Sequence, residues 1–181
     1  PVNPYPGLEP FTADSRRYFF GRDDDLSRML ALLSKVGGPG YPWLLVDGPS
    51  GVGKSSILQA GLLPALQYGA VQLPAAPKAW RVVLLRPGPA PVFELAAQVH
   101  RALVGDGPSK LTTSGLGAEI QRRAAALGEF VADHLPVAEG LVLVVDQLEE
   151  ALLVPAADIR EAFAAALAEL LVRSPRPLLL I

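Results

Sequence analysis

From Asp23 onward, apolar residues fall into two alternating patterns. Leu26, Met29, Leu30 and Leu33 recur at spacings of three and four, the period of an amphipathic helix. Asp23 and Asp24 suit its start, where negative charge meets the positive end of the helix dipole. Gly37-Gly38-Pro39-Gly40 ends it. Trp43-Leu44-Leu45-Val46 is a short, wholly apolar run and predicts a buried strand, followed by a glycine-rich turn and a helix over about 54–66. The strand pattern returns at 81–85, closed by Pro87-Gly88-Pro89, again at 141–145, and begins once more at 178–181. Helical patterns fill 92–104, 118–134 and roughly 158–172, with a polar loop over 105–117. Residues 1–18, rich in proline and aromatics, show neither period and predict an extended lead-in packed on the domain surface.

Each predicted strand is apolar on both faces and alternates with helices. That combination predicts an α/β fold, a parallel sheet covered by helices on both sides. The expected organisation is a lead-in over 1–22 and a core over 23–181.

Composition narrows the class. The 181 residues are 50% hydrophobic and 19% charged, enough to bury a sizeable core and too apolar for a disordered chain. A formal net charge of −2 supplies no global basic field, so nothing in this segment points to nucleic acid as the main partner. The pair Arg122-Arg123 reads as a solvated helix face, with a local binding patch as the alternative. The absence of cysteine excludes disulfides, thiolate metal sites and a cysteine nucleophile, and fits a cytoplasmic location. His100 and His134 lack ligand-like spacing and read as solvated helix-face residues. No apolar stretch reaches the roughly 20 residues that span a bilayer. The longest candidate, 162–172, is interrupted by Glu169, and no membrane partner is expected. No secretory signal opens the chain. The opening Pro1 and the strand-like 177–181 read as the edges of a piece of a longer protein.

One stretch carries specific chemistry. Gly48-Pro49-Ser50-Gly51-Val52-Gly53-Lys54-Ser55 fits G-x-x-x-x-G-K-[ST] at every fixed position. Glycines let backbone N–H groups point inward around a polyphosphate with no Cβ in the way. Lys54 reaches the β/γ-phosphates and Ser55 offers a hydroxyl to Mg²⁺, while the helix starting there presents unpaired N–H groups to the anion. An apolar strand before the motif and an apolar-faced helix after it (Ile57, Leu58, Leu62) form its confirming frame. The other reading is a glycine-rich turn that happens to contain a lysine.

Leu141-Val142-Leu143-Val144-Val145-Asp146-Gln147-Leu148-Glu149-Glu150 supplies the second half. A carboxylate at the end of a buried strand holds Mg²⁺ through water, as a Walker B Asp does, and Asp146 is placed for this. Its alternative role is to cap the next helix. Gln147 occupies the place of an immediate catalytic Glu. Glu149 and Glu150 stand about one helical turn further on, where either positions the attacking water or merely complements the helix dipole.

In order along the chain, several stretches resemble the bacterial "novel STAND" branch of the signal-transduction P-loop NTPases. They are Asn3-Pro4-Tyr5-Pro6-Gly7-Leu8-Glu9-Pro10-Phe11, Phe19-Phe20-Gly21-Arg22-Asp23-Asp24-Asp25, the segment from Gly48 through Ser56 to Leu66, Arg86-Pro87-Gly88, and Val145 to Glu150. The resemblance implies a three-layer, ASCE-type P-loop NTPase with strand order 5-1-4-3-2. The last strand, the sensor and the helical and winged-helix regions would lie beyond Ile181. It implies a switch that binds ATP or ADP with Mg²⁺, hydrolyses ATP slowly and regulates assembly of a larger multidomain chain. Its partners would be the other domains of that chain and, depending on nucleotide, further copies of itself. It also implies that Ser56 joins the phosphate loop and that Arg22, in the hydrophobic-Gly-Arg-acidic motif, lies by the nucleotide base. Here the acidic position usually held by Glu is Asp25. From the residues alone, Arg22 equally reads as the partner of Asp24 or Asp25; Arg86 follows a strand at the edge where ligands bind in α/β sheets, and reads first as a structural turn residue. A conventional P-loop ATPase or a phosphotransferase is the competing function. The latter calls for a lid carrying several arginines, and 105–117 offers only Lys110.

Overall fold

The computed structural model describes residues 7–36, 43–69, 77–105, 107, 109–153, 156–174 and 177–181. The glycine-rich stop at 37–40 and the first part of the lead-in lie outside the described residues. The chain divides into two compact units, Pro1–Ala79 and Trp80–Ile181.

In the first unit the lead-in is not extended throughout. Ala13–Tyr18 forms a 3-10 helix. Thr12 N–H donates to Ser15 Oγ at 2.8 Å and Ser15 N–H to the Thr12 carbonyl at 3.1 Å, a tight turn that suits short 3-10 segments. Helix α1 (Asp23–Val36) opens on three aspartates, as the dipole favours, and buries Met29 and Leu33. It packs on the helical stretch that follows the glycine-rich turn. That stretch runs through α2 (Lys54–Ser56), a π-helical turn Ile57–Leu62, and α3 (Leu63–Gln67). Pro64 explains the wide turn. It has no N–H and its ring crowds the carbonyl four residues back, and the Leu63 N–H bonds to the Leu58 carbonyl five back instead. At Gly61 a Cβ would lie 3.5 Å from Leu26 Cδ1, in ordinary van der Waals contact with α1.

Trp43-Leu44-Leu45-Val46 is not the buried strand its composition predicts. A single bridge at Trp43 is its only strand character among the described residues, and Leu45 is 65% exposed. Apolar side chains favour a strand, but ladder hydrogen bonds to a neighbour make one, and a local pattern cannot supply the neighbour.

The second unit is built on a three-stranded parallel sheet in the order β1-β2-β3: β1 (Ala79–Leu85), β2 (Glu139–Val145) and β3 (Leu178–Leu180). This is the 4-3-2 part of the order that the resemblance implies. The β2–β3 register pairs Leu141 with Leu178 and Leu143 with Leu180. β2 is buried on both faces; β1 is not, and Leu84 is exposed, as suits an edge strand. Leu141 and Leu143 point into one core with Leu85, Val92, Leu95, Leu127, Val131 and Phe163. Helices α4 (Pro91–Leu103), α5 (Thr113–Arg122), α6 (Ala125–His134) and α8 (Ala157–Arg173) pack against one another to supply the rest of that core. A short helix, α7 (Leu148–Leu153), follows β2.

The single helix expected over 118–134 is two, and α5 starts inside the expected polar loop. Thr112 Oγ1 caps α5 by accepting the Gly115 N–H at 3.1 Å. Arg123 breaks the run with extended backbone, φ −154° and ψ 105°. Its guanidinium binds Glu129 of α6 at 2.7 Å and approaches Glu119 of α5 at 3.6 Å. Hydrogen bonds from Arg122 and from Arg123 hold the Glu119 and Glu129 carboxyls, respectively, below the usual carboxylate range. Arg122-Arg123 is thus an exposed ion-paired corner.

The histidines are not simply solvated. Both rings stack on Phe130, His134 at 4.1 Å and His100 at 5.7 Å between centroids. His134 Nδ1 donates to the Phe130 carbonyl and His100 Nε2 to the Leu111 carbonyl.

At Gly117 of α5 a Cβ would sit 2.5 Å from Phe93 Cδ1 and 3.2 Å from its Cγ, against the root of the ring. Gly117→Val therefore forces α4 and α5 apart. The expected cost is about 3 kcal/mol, lowering Tm by roughly 6–12 °C in a thermal melt.

Candidate functional site

The predicted site residues fall in both units: the phosphate loop and Arg22 in the first, Asp146, Glu149 and Glu150 in the second.

The loop 48–53 turns on its glycines. Gly51 has φ +79° and Gly53 φ +91°, left-handed values that a side chain would strain. At Gly51 a Cβ would meet nothing within 4 Å, so the requirement there is conformational and not steric. Gly53 is the N-cap of α2, and its carbonyl accepts the Ile57 N–H at 2.9 Å. The side chain of Lys54 folds back over the loop. Its ammonium donates to the carbonyls of Gly48, at 2.6 Å, and Pro49, at 3.1 Å. The cation is thus held at the loop by the main chain that precedes it. Ser50, Gly51 and Val52 are exposed at the tip; Gly48, Lys54, Ser55 and Ser56 are half-buried.

Arg22 reaches the same loop. Its Nη1 pairs with Asp25 Oδ2 at 2.8 Å, its Nη2 donates to the Val52 carbonyl, and a Cβ on Gly53 would lie 3.4 Å from that Nη2. Of the two acidic partners the sequence offered, Asp25 is the one engaged. Ser56 also has a tie that sequence reasoning missed: its Oγ accepts the Phe11 N–H at 3.1 Å. The phosphate-loop helix, the lead-in and the Gly-Arg motif are thereby fastened together. A contact between residues 45 apart in sequence leaves no local signal.

In the second unit Asp146 stands where β2 ends, half-buried, its N–H donating to the Leu85 carbonyl at 2.8 Å. Gln147 is the one non-glycine residue with positive φ among the described residues, +59°. This left-handed step costs about 1–2 kcal/mol and turns the chain from strand into α7, where the Gln147 carbonyl accepts the Glu150 N–H at 2.9 Å. The two glutamates then differ. Glu149 is exposed. Glu150 accepts the Gly88 N–H on Oε2 at 3.2 Å, with Arg86 Nε 3.8 Å from its Oε1. Arg86 and Gly88 belong to the turn after β1, so the reading of Arg86 as a turn residue agrees with its position.

Ser55 in the first unit and Asp146 in the second each carry a hard oxygen, the donor type that Mg²⁺ takes. Among the described residues no cluster of three or more metal-ligating side chains exists that would form an all-protein cage.

Comparison with known families decides the class. The sequence profile of Novel STAND NTPase 1 matches residues 4–181. The chain belongs to this NTPase family. No curated protein and no solved structure gave a match. Membership makes the chain a nucleotide-binding NTPase domain and accounts for the α/β fold with its parallel sheet. Among the described residues no helix is long and apolar enough to cross a membrane.

Proposed function

We propose that this domain is an ATP/ADP-binding switch that hydrolyses ATP slowly with Mg²⁺ and regulates assembly of a larger multidomain cytoplasmic protein. The observation that carries the reading is the phosphate loop itself. Left-handed Gly51 and Gly53 shape a turn at the head of α2, and the Lys54 ammonium is held on the loop by the Gly48 and Pro49 carbonyls.

Each residue then has a role. The backbone from Gly48 through Ser56, with Pro49, Ser50 and Val52 shaping the loop, cradles the phosphates, and the first turn of α2 adds its N–H groups. Lys54 neutralises the β/γ-phosphates. By the motifs they occupy, Ser55 and Asp146 would each serve Mg²⁺, and the ion would supply electrostatic stabilisation for phosphoryl transfer. Arg22, held on Val52, acts through the loop it touches and lies toward the base. Gln147, in place of an immediate glutamate, leaves activation of water to a residue on α7, which fits slow turnover.

The test is calorimetry with ADP and with ATP on the full-length protein, read alongside its size by light scattering. Tight ADP binding with growth of the particle only in ATP is the expected result. A particle of constant size with rapid phosphate release would instead identify an ordinary ATPase.

A further inference from the structure

Two ties join the end of β1 and the turn after it to residues 146–150. One is main chain to main chain, Asp146 N–H to the Leu85 carbonyl at 2.8 Å. The other is main chain to side chain, Gly88 N–H to Glu150 Oε2 at 3.2 Å. Gln147, Leu148 and Glu149 lie between the two points of attachment, Asp146 and Glu150. Within that bracket Gln147 holds a left-handed conformation, φ +59°, that it would leave without restraint at both ends. Gly88 is left-handed as well, φ +56°, a conformation that a side chain would strain.

We infer that Glu150 is a positioning residue and that Glu149 is the glutamate left to orient the attacking water. Glu150 is engaged at both oxygens, Oε2 by the Gly88 N–H and Oε1 by Arg86 at 3.8 Å, and swinging the carboxylate to a water would cost the half-buried Gly88 amide its partner. Exposed Glu149 has no such duty among the contacts described above. Glu150 acts by shape: its oxygen fixes the first turn of α7 against the β1 turn, and so fixes where Asp146 and Glu149 stand. What the Gly88 amide requires is an acceptor atom; the longer ion pair with exposed Arg86 contributes little. The inference rests on the ATP-hydrolysing reading of the site, and its consequence for the Gly88 amide does not.

The experiment compares Glu149→Gln, Glu150→Gln and Glu150→Ala in the full-length protein. Phosphate release is followed in a single turnover, nucleotide affinity by calorimetry, and Gly88 amide exchange by mass spectrometry. Glu149→Gln should lower turnover by about 100-fold or more with unchanged nucleotide affinity. Glu150→Ala should lower turnover by roughly 10–100-fold through misplacement and speed exchange at Gly88. Glu150→Gln, which keeps an acceptor oxygen, should restore most of that turnover and most of that protection. If Glu150→Gln is as damaging as Glu149→Gln, or if Glu149→Gln turns over normally, the division of labour is wrong. Should Glu150→Ala fail to fold, the two glutamine variants still give opposite answers. Should the wild type bind no nucleotide, the switch reading falls by itself. Gly88 exchange then decides the clamp, and equal exchange in all forms overturns it.

Discussion

Lys54→Ala is expected to weaken Mg-ATP and Mg-ADP binding by roughly 10–100-fold in calorimetry. A hydrogen bond to a charged group contributes about 1.5–3 kcal/mol, and each 1.4 kcal/mol is about tenfold in affinity. The ammonium is already at the loop, 2.6 Å from the Gly48 carbonyl and 3.1 Å from that of Pro49, so little side-chain entropy remains to be lost when phosphate binds. Removing it leaves two carbonyls near the surface that water can serve, and the melting temperature should move little. Lys54→Arg should not rescue affinity. A planar guanidinium is wider than an ammonium and cannot enter the same carbonyl pair as a point charge. Unchanged affinity in Lys54→Ala would remove the phosphate-cradle assignment altogether.

Asp146→Asn should suppress single-turnover ATP hydrolysis by about 100-fold or more, the scale on which losing one well-placed electrostatic group acts. The substitution keeps the size of the side chain and the main-chain bond to Leu85, so the end of β2 should stay in place. It replaces an anionic oxygen by an amide, a poorer ligand for a hard cation. The specific signature is in Mg²⁺ dependence. In the wild type, chelation of Mg²⁺ should weaken ATP binding; in Asp146→Asn that difference should shrink while metal-free affinity stays the same. Wild-type turnover in the variant would leave Asp146 with its other role, capping the start of α7.

The fold and the site were legible in the sequence to different depths. Periodicity located α1, the helix from Lys54, α4, α8 and the strands β1, β2 and β3 within a few residues, because each writes its period into local spacing. It merged most of α5 with α6 over 118–134, since Ile120 leads into Leu127 and Val131 at helical spacings of seven and four. The break at Arg123 depends on partners at Glu119 and Glu129. It also promised a strand at Trp43-Leu44-Leu45-Val46, where apolarity spoke for burial but could not secure a neighbouring ladder. The π-helical turn was just as hidden, although Pro64 is its visible cause.

By itself, then, the sequence determined the class of chemistry. Glycines and a lysine at fixed spacing can be recognised in one dimension, because the proposed phosphate loop is made of consecutive residues. The tertiary structure alone decided which of two adjacent carboxylates is committed. Glu149 and Glu150 are equivalent in the sequence, and a contact across 62 positions, from Gly88 N–H to the Glu150 carboxylate, separates them, with Arg86 on the other oxygen. The same holds for Arg22, whose choice of Asp25 and reach to Val52 follow from where α1 packs. Local residues fix what a backbone can do, and packing fixes which side chain is left to act.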